Sequence, residues 1–165
     1  MNIFLCGSNQ LTTLDQAEIK SFLSEYAYNH RIYVLCYKSI ESEVLRFFVE
    51  NEHLAPNLSI YTLHPLHVLS DEFQDIVAYL KVQGAQFFSF NHPNEAIYRS
   101  EYVFFVKQIV KESDLVLCFY NGDKHTAVIP IDIAKEAKKN AVIFDLPGLQ
   151  DKEDNKNFEQ KIRMM

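Results

Sequence analysis

The chain predicts a three-layer α/β domain built on a mainly parallel sheet, and three observations carry that prediction. Short β-rich apolar runs alternate along the sequence with longer segments of helical spacing. Each confident run is followed by enough residues for a right-handed crossover to a parallel neighbour. At 165 residues and 48% hydrophobic, the chain fills one compact core, whereas two domains would each be undersized. About five strands are expected on this pattern. The domain is placed at residues 1–149, followed by a charged C-terminal tail at 150–165.

Ile3 to Cys6 reads as the first strand. Thr13-Leu14-Asp15-Gln16 has the form of a capping box, with the Thr13 hydroxyl and the Gln16 side chain each satisfying an orphan amide. The helix that follows presents Leu14, Ile19, Phe22, Leu23 and Tyr26 at helical spacing. Ile32 to Leu35 is the second strand, and Ser39 is placed to cap a helix burying Val44, Leu45, Phe48 and Val49. Pro56 closes that region and Leu58 to Leu63 supplies a third strand. Ser70-Asp71-Glu72 opens a helix with an acidic first turn that runs through Phe73, Ile76, Val77 and Leu80 to a cap at Gly84. Ala85 to Phe90 fits either a short strand or a packed loop. Residues 94–111 have helical spacing with an unusually wide apolar face, because Phe104 and Val106 flank Ile97, Tyr102, Phe105, Ile109 and Val110. Such a face suits burial between the sheet and a second subunit, so a homo-oligomer through this helix is expected. Leu115 to Tyr120 is the strongest strand pattern in the chain, followed by a helix from Thr126 to Lys139 and a last strand from Ala141 to Leu146.

Composition narrows the function classes. A formal charge of −6 speaks against a general nucleic-acid-binding surface, which needs clustered Lys and Arg, and nucleic acid is not expected as a partner. No run is long and apolar enough for a membrane span, and the first residues lack a basic leader, so a cytoplasmic protein without membrane contact is expected. Cys6, Cys36 and Cys118 are odd in number, far apart and embedded in apolar runs, which suits buried thiols. His64-Pro65-Leu66-His67 lacks a third ligand in sequence, so no metal and no cofactor is expected.

In a parallel sheet the loops at the strands' carboxyl ends open on one edge, where helix amino termini present unpaired N–H groups. The chain has only four glycines, and two of them, Gly7 and Gly122, stand directly after apolar runs. Three loops qualify: Gly7-Ser8-Asn9, then Tyr37-Lys38-Ser39-Ile40-Glu41, and Tyr120-Asn121-Gly122-Asp123-Lys124-His125-Thr126. Their amides, hydroxyls, lysines and histidine suit a phosphate or a ribose, with Tyr37 and Tyr120 where a base would stack. Each loop is also accounted for by turn glycines and helix caps alone. Glu41 and Asp123 are the best carboxylates for acid or nucleophile chemistry, although acids in a first helical turn also serve the helix dipole.

Ser113-Asp114-Leu115-Val116-Leu117-Cys118-Phe119-Tyr120-Asn121-Gly122, followed by Ile131-Asp132-Ile133-Ala134-Lys135, resembles the signature strand, Phe-Trp-Asp-Gly turn and helix of the SLOG superfamily of Rossmann-like proteins. Gly7-Ser8 matches that group's opening Gly-Ser, with Asn9 where an Arg is frequent. The group includes DNA-processing protein A, the cytokinin-activating phosphoribohydrolases and nucleotide-ligand sensors, and the resemblance implies a Rossmann-like fold from Ile3 to Phe144. It further implies a basic or polar ligand contact near Arg99. Thr126-Ala127 stands where members place a second Gly-Thr against phosphate, and the phosphoribohydrolase Pro-Gly-Gly loop is absent, with only Pro130 near the expected acid.

The leading expectation is therefore a domain that binds or senses a nucleotide-like small molecule at the sheet edge. Its contacts would be Gly7, Ser8, Asn9, Ser39, Arg99, Tyr120, Asn121, Gly122, Lys124, His125 and Thr126, with Glu41 on the rim. The alternatives are an enzyme acting on an N-glycosidic bond through Glu41 or Asp123, and a degenerate Rossmann-like interaction module.

Overall fold

The computed structural model describes residues 1–148; the expected boundary at 149 and the charged tail lie outside them. Among the described residues, six parallel strands form one sheet in the order β4-β3-β2-β1-β5-β6. They are β1 (Asn2–Gly7), β2 (Arg31–Leu35), β3 (Leu58–Thr62), β4 (Gln86–Ser89), β5 (Leu115–Tyr120) and β6 (Asn140–Asp145). The strand beyond the expected five is β4, whose Ile60↔Phe87 and Tyr61↔Phe88 pairing resolves the ambiguous segment after Gly84.

Five α-helices connect them: α1 (Thr13–Tyr26), α2 (Glu41–Glu50), α3 (Asp71–Val82), α4 (Arg99–Lys111) and α5 (Ile129–Glu136). Strand side chains alternate between two cores, as a doubly covered sheet requires. On one face Ile3, Leu5, Ile32, Val34 and Ile60 pack with Ile19 and Leu23 of α1, Val44 and Phe48 of α2, and Val77 and Leu80 of α3. On the other, Phe4, Cys6, Val116 and Cys118 pack with Val106, Ile109 and Val110 of α4 and Ile131 and Ala134 of α5. Among the described residues no helix is long and apolar enough to cross a membrane.

Several local expectations shift by less than two turns, each for a visible reason. The α1 cap is Thr12 rather than Thr13: its side chain accepts from Asp15 N, while the Asp15 carboxylate accepts from Thr12 N at 3.0 Å. Ser39 does not cap α2; its Oγ accepts from Gly7 N at 2.9 Å and ties β1 to the β2–α2 loop. The helix expected from Thr126 is a 3-10 turn at His125–Val128 that hands over to α5 at Ile129, without a side-chain cap. The expected helix over 94–111 begins at Arg99, because the carbonyls of Asn94 and Glu95 accept from the His64 ring instead of entering a helical ladder. Its wide apolar face is largely consumed within the chain. Phe105 stacks on Phe90 with ring centroids 4.7 Å apart, and Phe104 stays 58% exposed.

All four glycines have positive φ, and two of them, Gly7 and Gly122, require glycine for different reasons. At Gly7 (φ 152°) an added Cβ would lie 2.1 Å from the Phe119 carbonyl oxygen, so β1 and β5 approach too closely for any side chain. At Gly122 (φ 86°) nothing lies within 4 Å, so only the backbone conformation calls for glycine. Gly7→Ala is therefore expected to destabilise the fold by about 2–4 kcal/mol in urea unfolding, and Gly122→Ala by about 1 kcal/mol. Equal losses would contradict the assignment of Gly7 as a close-approach position.

Candidate functional site

The strand order reverses direction of growth at β1, between β2 and β5, and a crevice opens beyond the carboxyl ends of these strands. A cavity of about 310 Å³ lies there, near the lower end of the size range of small-molecule sites. Four segments wall it: Cys6 and Gly7 at the end of β1 with Asn9 just after it; Tyr37, Lys38 and Ser39 after β2; Ile97, Arg99 and Tyr102 around the start of α4; and Asp123, Lys124, Thr126, Ala127 and Ile129 after β5.

The cavity has a polar rim and an aromatic wall. Tyr37 and Tyr102 lie with ring centroids 6.0 Å apart, and the Lys38 ammonium sits 5.2 Å from the Tyr37 ring centroid. Burial holds the Tyr102 hydroxyl neutral to well above the usual phenol range, with Cys6, Cys118, Tyr37 and Glu41 adding to the effect. Three cations, Lys38, Arg99 and Lys124, reach the rim, and among the described residues none of them forms a salt bridge.

The loops are braced from behind by a buried polar network. Asp15, fully buried in α1, accepts from Thr12 N at 3.0 Å, Asn121 Nδ2 at 2.8 Å and Gly148 N at 2.7 Å. Asn121 N donates to Ser8 Oγ at 3.0 Å, and Asn121 Nδ2 also donates to Gln10 O at 2.7 Å. Asp123 belongs partly to this bracing: its Oδ2 accepts from Asn9 N and Gln10 N at 3.2 and 3.3 Å, and its Oδ1 from Lys124 N at 2.6 Å.

Of the residues read from the sequence, Gly7, Asn9, Ser39, Arg99, Lys124 and Thr126 line the cavity. Ser8 and Asn121 are buried behind it and serve the network, since their side-chain polar atoms are spent on Asn121 N, Gln10 O and Asp15. Gly122 sits at an exposed turn outside the lining, as does His125, and Tyr120 is half-buried against the second core. Glu41 is not on the rim: it accepts from Ser39 N at 2.8 Å and lines a separate groove with Cys36, Leu45 and Phe73. Tyr102 and Ile97 were not legible as site residues, because nothing local tells where the β4–α4 crossover delivers the first turn of α4. Lys38 and Asp123 lay in loops already singled out. Among the described residues no cluster of three His, Cys, Asp or Glu is spaced to hold a metal ion.

The architecture is Rossmann-like, a parallel sheet covered by helices on both faces. Its solved neighbours include DNA processing protein A from Helicobacter pylori, with a TM-score of 0.66 at 10% identity, matched over 87% of this chain and 64% of that one. The protein of the same name from Streptococcus pneumoniae has a TM-score of 0.60 at 11% identity, over 86% of this chain and 49% of that one. This chain thus spans about two-thirds and one-half of the neighbours' lengths. At such identity the likeness shows the fold alone. No family model matches the sequence, and no curated protein does. The Helicobacter pylori protein is described by its single-stranded DNA binding mode, and that overturns the expectation excluding nucleic acid. A total charge of −6 is summed over the whole molecule and does not report the local field where Lys38, Arg99 and Lys124 gather.

Burial raises the Glu41 carboxyl above its ordinary value of 4.5, against the lowering effect of backbone hydrogen bonds at Glu41, Ser39 and Lys38. A carboxyl raised on folding holds its proton better in the folded chain, so its contribution is complete below 4.5 and is lost as the pH rises through the folded value. Glu41→Gln, which keeps an acceptor for Ser39 N, is expected to unfold at the same urea concentration as wild type near pH 4 and at a higher one at pH 8. A lower midpoint at pH 8 would show that the charged form is favoured. Asp15→Ala leaves three donors without their buried acceptor and is expected to cost about 3–5 kcal/mol. Thermal unfolding within a few degrees of wild type would refute that.

Proposed function

We propose that this domain binds a nucleotide-like anion in the cavity at the β1/β5 switch point. The observation that supports the reading most directly is the gathering of Lys38, Arg99 and Lys124, unpaired among the described residues, beside the Tyr37–Tyr102 wall. Unpaired cations on a cavity rim suit a phosphate, and an aromatic wall suits a base. Arg99 offers a two-pronged donor to phosphate oxygens, while the two lysines supply point charge.

Binding is favoured over glycosidic cleavage by the state of the carboxylates. Asp123 is the one acid among the lining residues, and its oxygens are engaged by three backbone amides; Glu41 faces another groove. A second reading places the same cations on a nucleotide within a single DNA strand. The single-stranded DNA binding of the Helicobacter pylori neighbour supports it, together with the exposure of Lys38, Arg99 and Lys124 at the rim.

Calorimetric titration with AMP, ADP and an oligo-dT strand tests both readings. For the small-ligand reading, AMP or ADP is expected to bind, and Arg99→Ala or Lys124→Ala to weaken binding about tenfold each, the worth of one charge-assisted hydrogen bond. If oligo-dT binds, mononucleotides do not, and the affinity falls steeply with salt, the strand reading replaces it. Silence from all three probes would sink both and leave the interaction-module class.

A further inference from the structure

We infer that Asp123 is a resident counter-anion that fills the cavity's amide nest, so that the cavity takes a ligand with a single phosphate. The inference deepens the proposed binding role and rests on it for the position of the ligand. Two successive backbone amides, Asn9 N and Gln10 N, converge on one carboxylate oxygen, Asp123 Oδ2, at 3.2 and 3.3 Å. Convergent successive N–H groups of this kind form an anion-binding concavity. Both Asn9 and Asp123 line the cavity, so an emptied nest would open onto it.

The occupant is built into the chain and is held on both oxygens. Asp123 Oδ1 accepts from Lys124 N at 2.6 Å, and Asp123 N donates to Asn121 Oδ1 at 3.1 Å, which anchors the turn to the buried network. A ligand phosphate entering the nest would displace its two hydrogen bonds to Asp123, made at intramolecular effective concentration, and would then lie beside the displaced carboxylate. Its phosphate is therefore directed to Lys38, Arg99 and Lys124. A second phosphate extending toward Asn9 meets the Asp123 charge and gains nothing there. The chain's own acid thus sets the ligand class: a nucleoside monophosphate, or another anion with one phosphate, over a diphosphate.

The test is calorimetric titration of the full chain with inorganic phosphate, AMP and ADP, in wild type, Asp123→Ala and Asp123→Asn. Wild type is expected to bind AMP at least as tightly as ADP. Asp123→Ala should bind inorganic phosphate about tenfold more tightly than wild type and shift its preference to ADP, by vacating the nest and removing its charge. Asp123→Asn removes the charge while keeping an acceptor for the nest, which preserves the loop, and should relieve the penalty on ADP without creating the phosphate site. Unchanged phosphate affinity in Asp123→Ala, or a wild type that prefers ADP, would overturn the inference. A Lys38→Ala/Arg99→Ala/Lys124→Ala background separates the two ideas. If wild type and this variant both ignore AMP while added Asp123→Ala still gains phosphate, the nest stands and the cationic-wall reading fails. If wild type binds AMP and Asp123→Ala gains no phosphate, the nest inference fails alone.

Discussion

The buried Asp15 carboxylate is the constraint on which the rest of the ligand edge depends. An ionised acid taken out of water costs several kcal/mol unless donors replace its hydration. Here the replacement comes from Thr12, Asn121 and Gly148, residues that belong to the start of α1, the end of β5 and the chain just beyond β6. One side chain therefore does two jobs. It completes the capping box of α1, and it fastens three separate chain segments to a common point under the cavity.

The close approach of β1 and β5 supports the same arrangement. Gly7 lets the two backbones meet at the crevice, Ser8 N donates to Phe119 O at 2.9 Å, and Ser8 Oγ accepts from Asn121 N. Ser39 completes the brace from the other side by bonding both the N–H and the carbonyl of Gly7. Loops held in this way present a cavity that is largely formed before any ligand arrives, which lowers the ordering cost of binding. The groups left free at its rim are long, exposed cations, so rigidity and charge are supplied by different residues.

Much of the fold was legible because its signals are local. Alternating apolar runs and helical spacing need only neighbouring residues to be read, and the Ser70 cap of α3 follows from its hydroxyl accepting from Phe73 N at 3.1 Å. The β4 segment was ambiguous because Gln86–Ser89 is short and half-exposed, as an edge strand is, so its alternation is blurred. The start of α4 was misplaced because the competing partner of the loop carbonyls, the His64 ring, lies 30 residues earlier.

The sequence by itself determined a parallel α/β sheet and, through the topology of such sheets, that the Gly7, Ser39 and Gly122 loops open on one edge. Tertiary structure alone decided which residues of those loops face a ligand and which face inward. Asn9 and Lys124 line the cavity, whereas Ser8 and Asn121 are consumed by bonds across separations of 113 and 106 residues. Composition treats all four as polar loop residues. Their roles diverge because a hydrogen-bonding side chain serves whichever partner the folded chain brings within 3 Å, and no local pattern specifies a partner a hundred residues away.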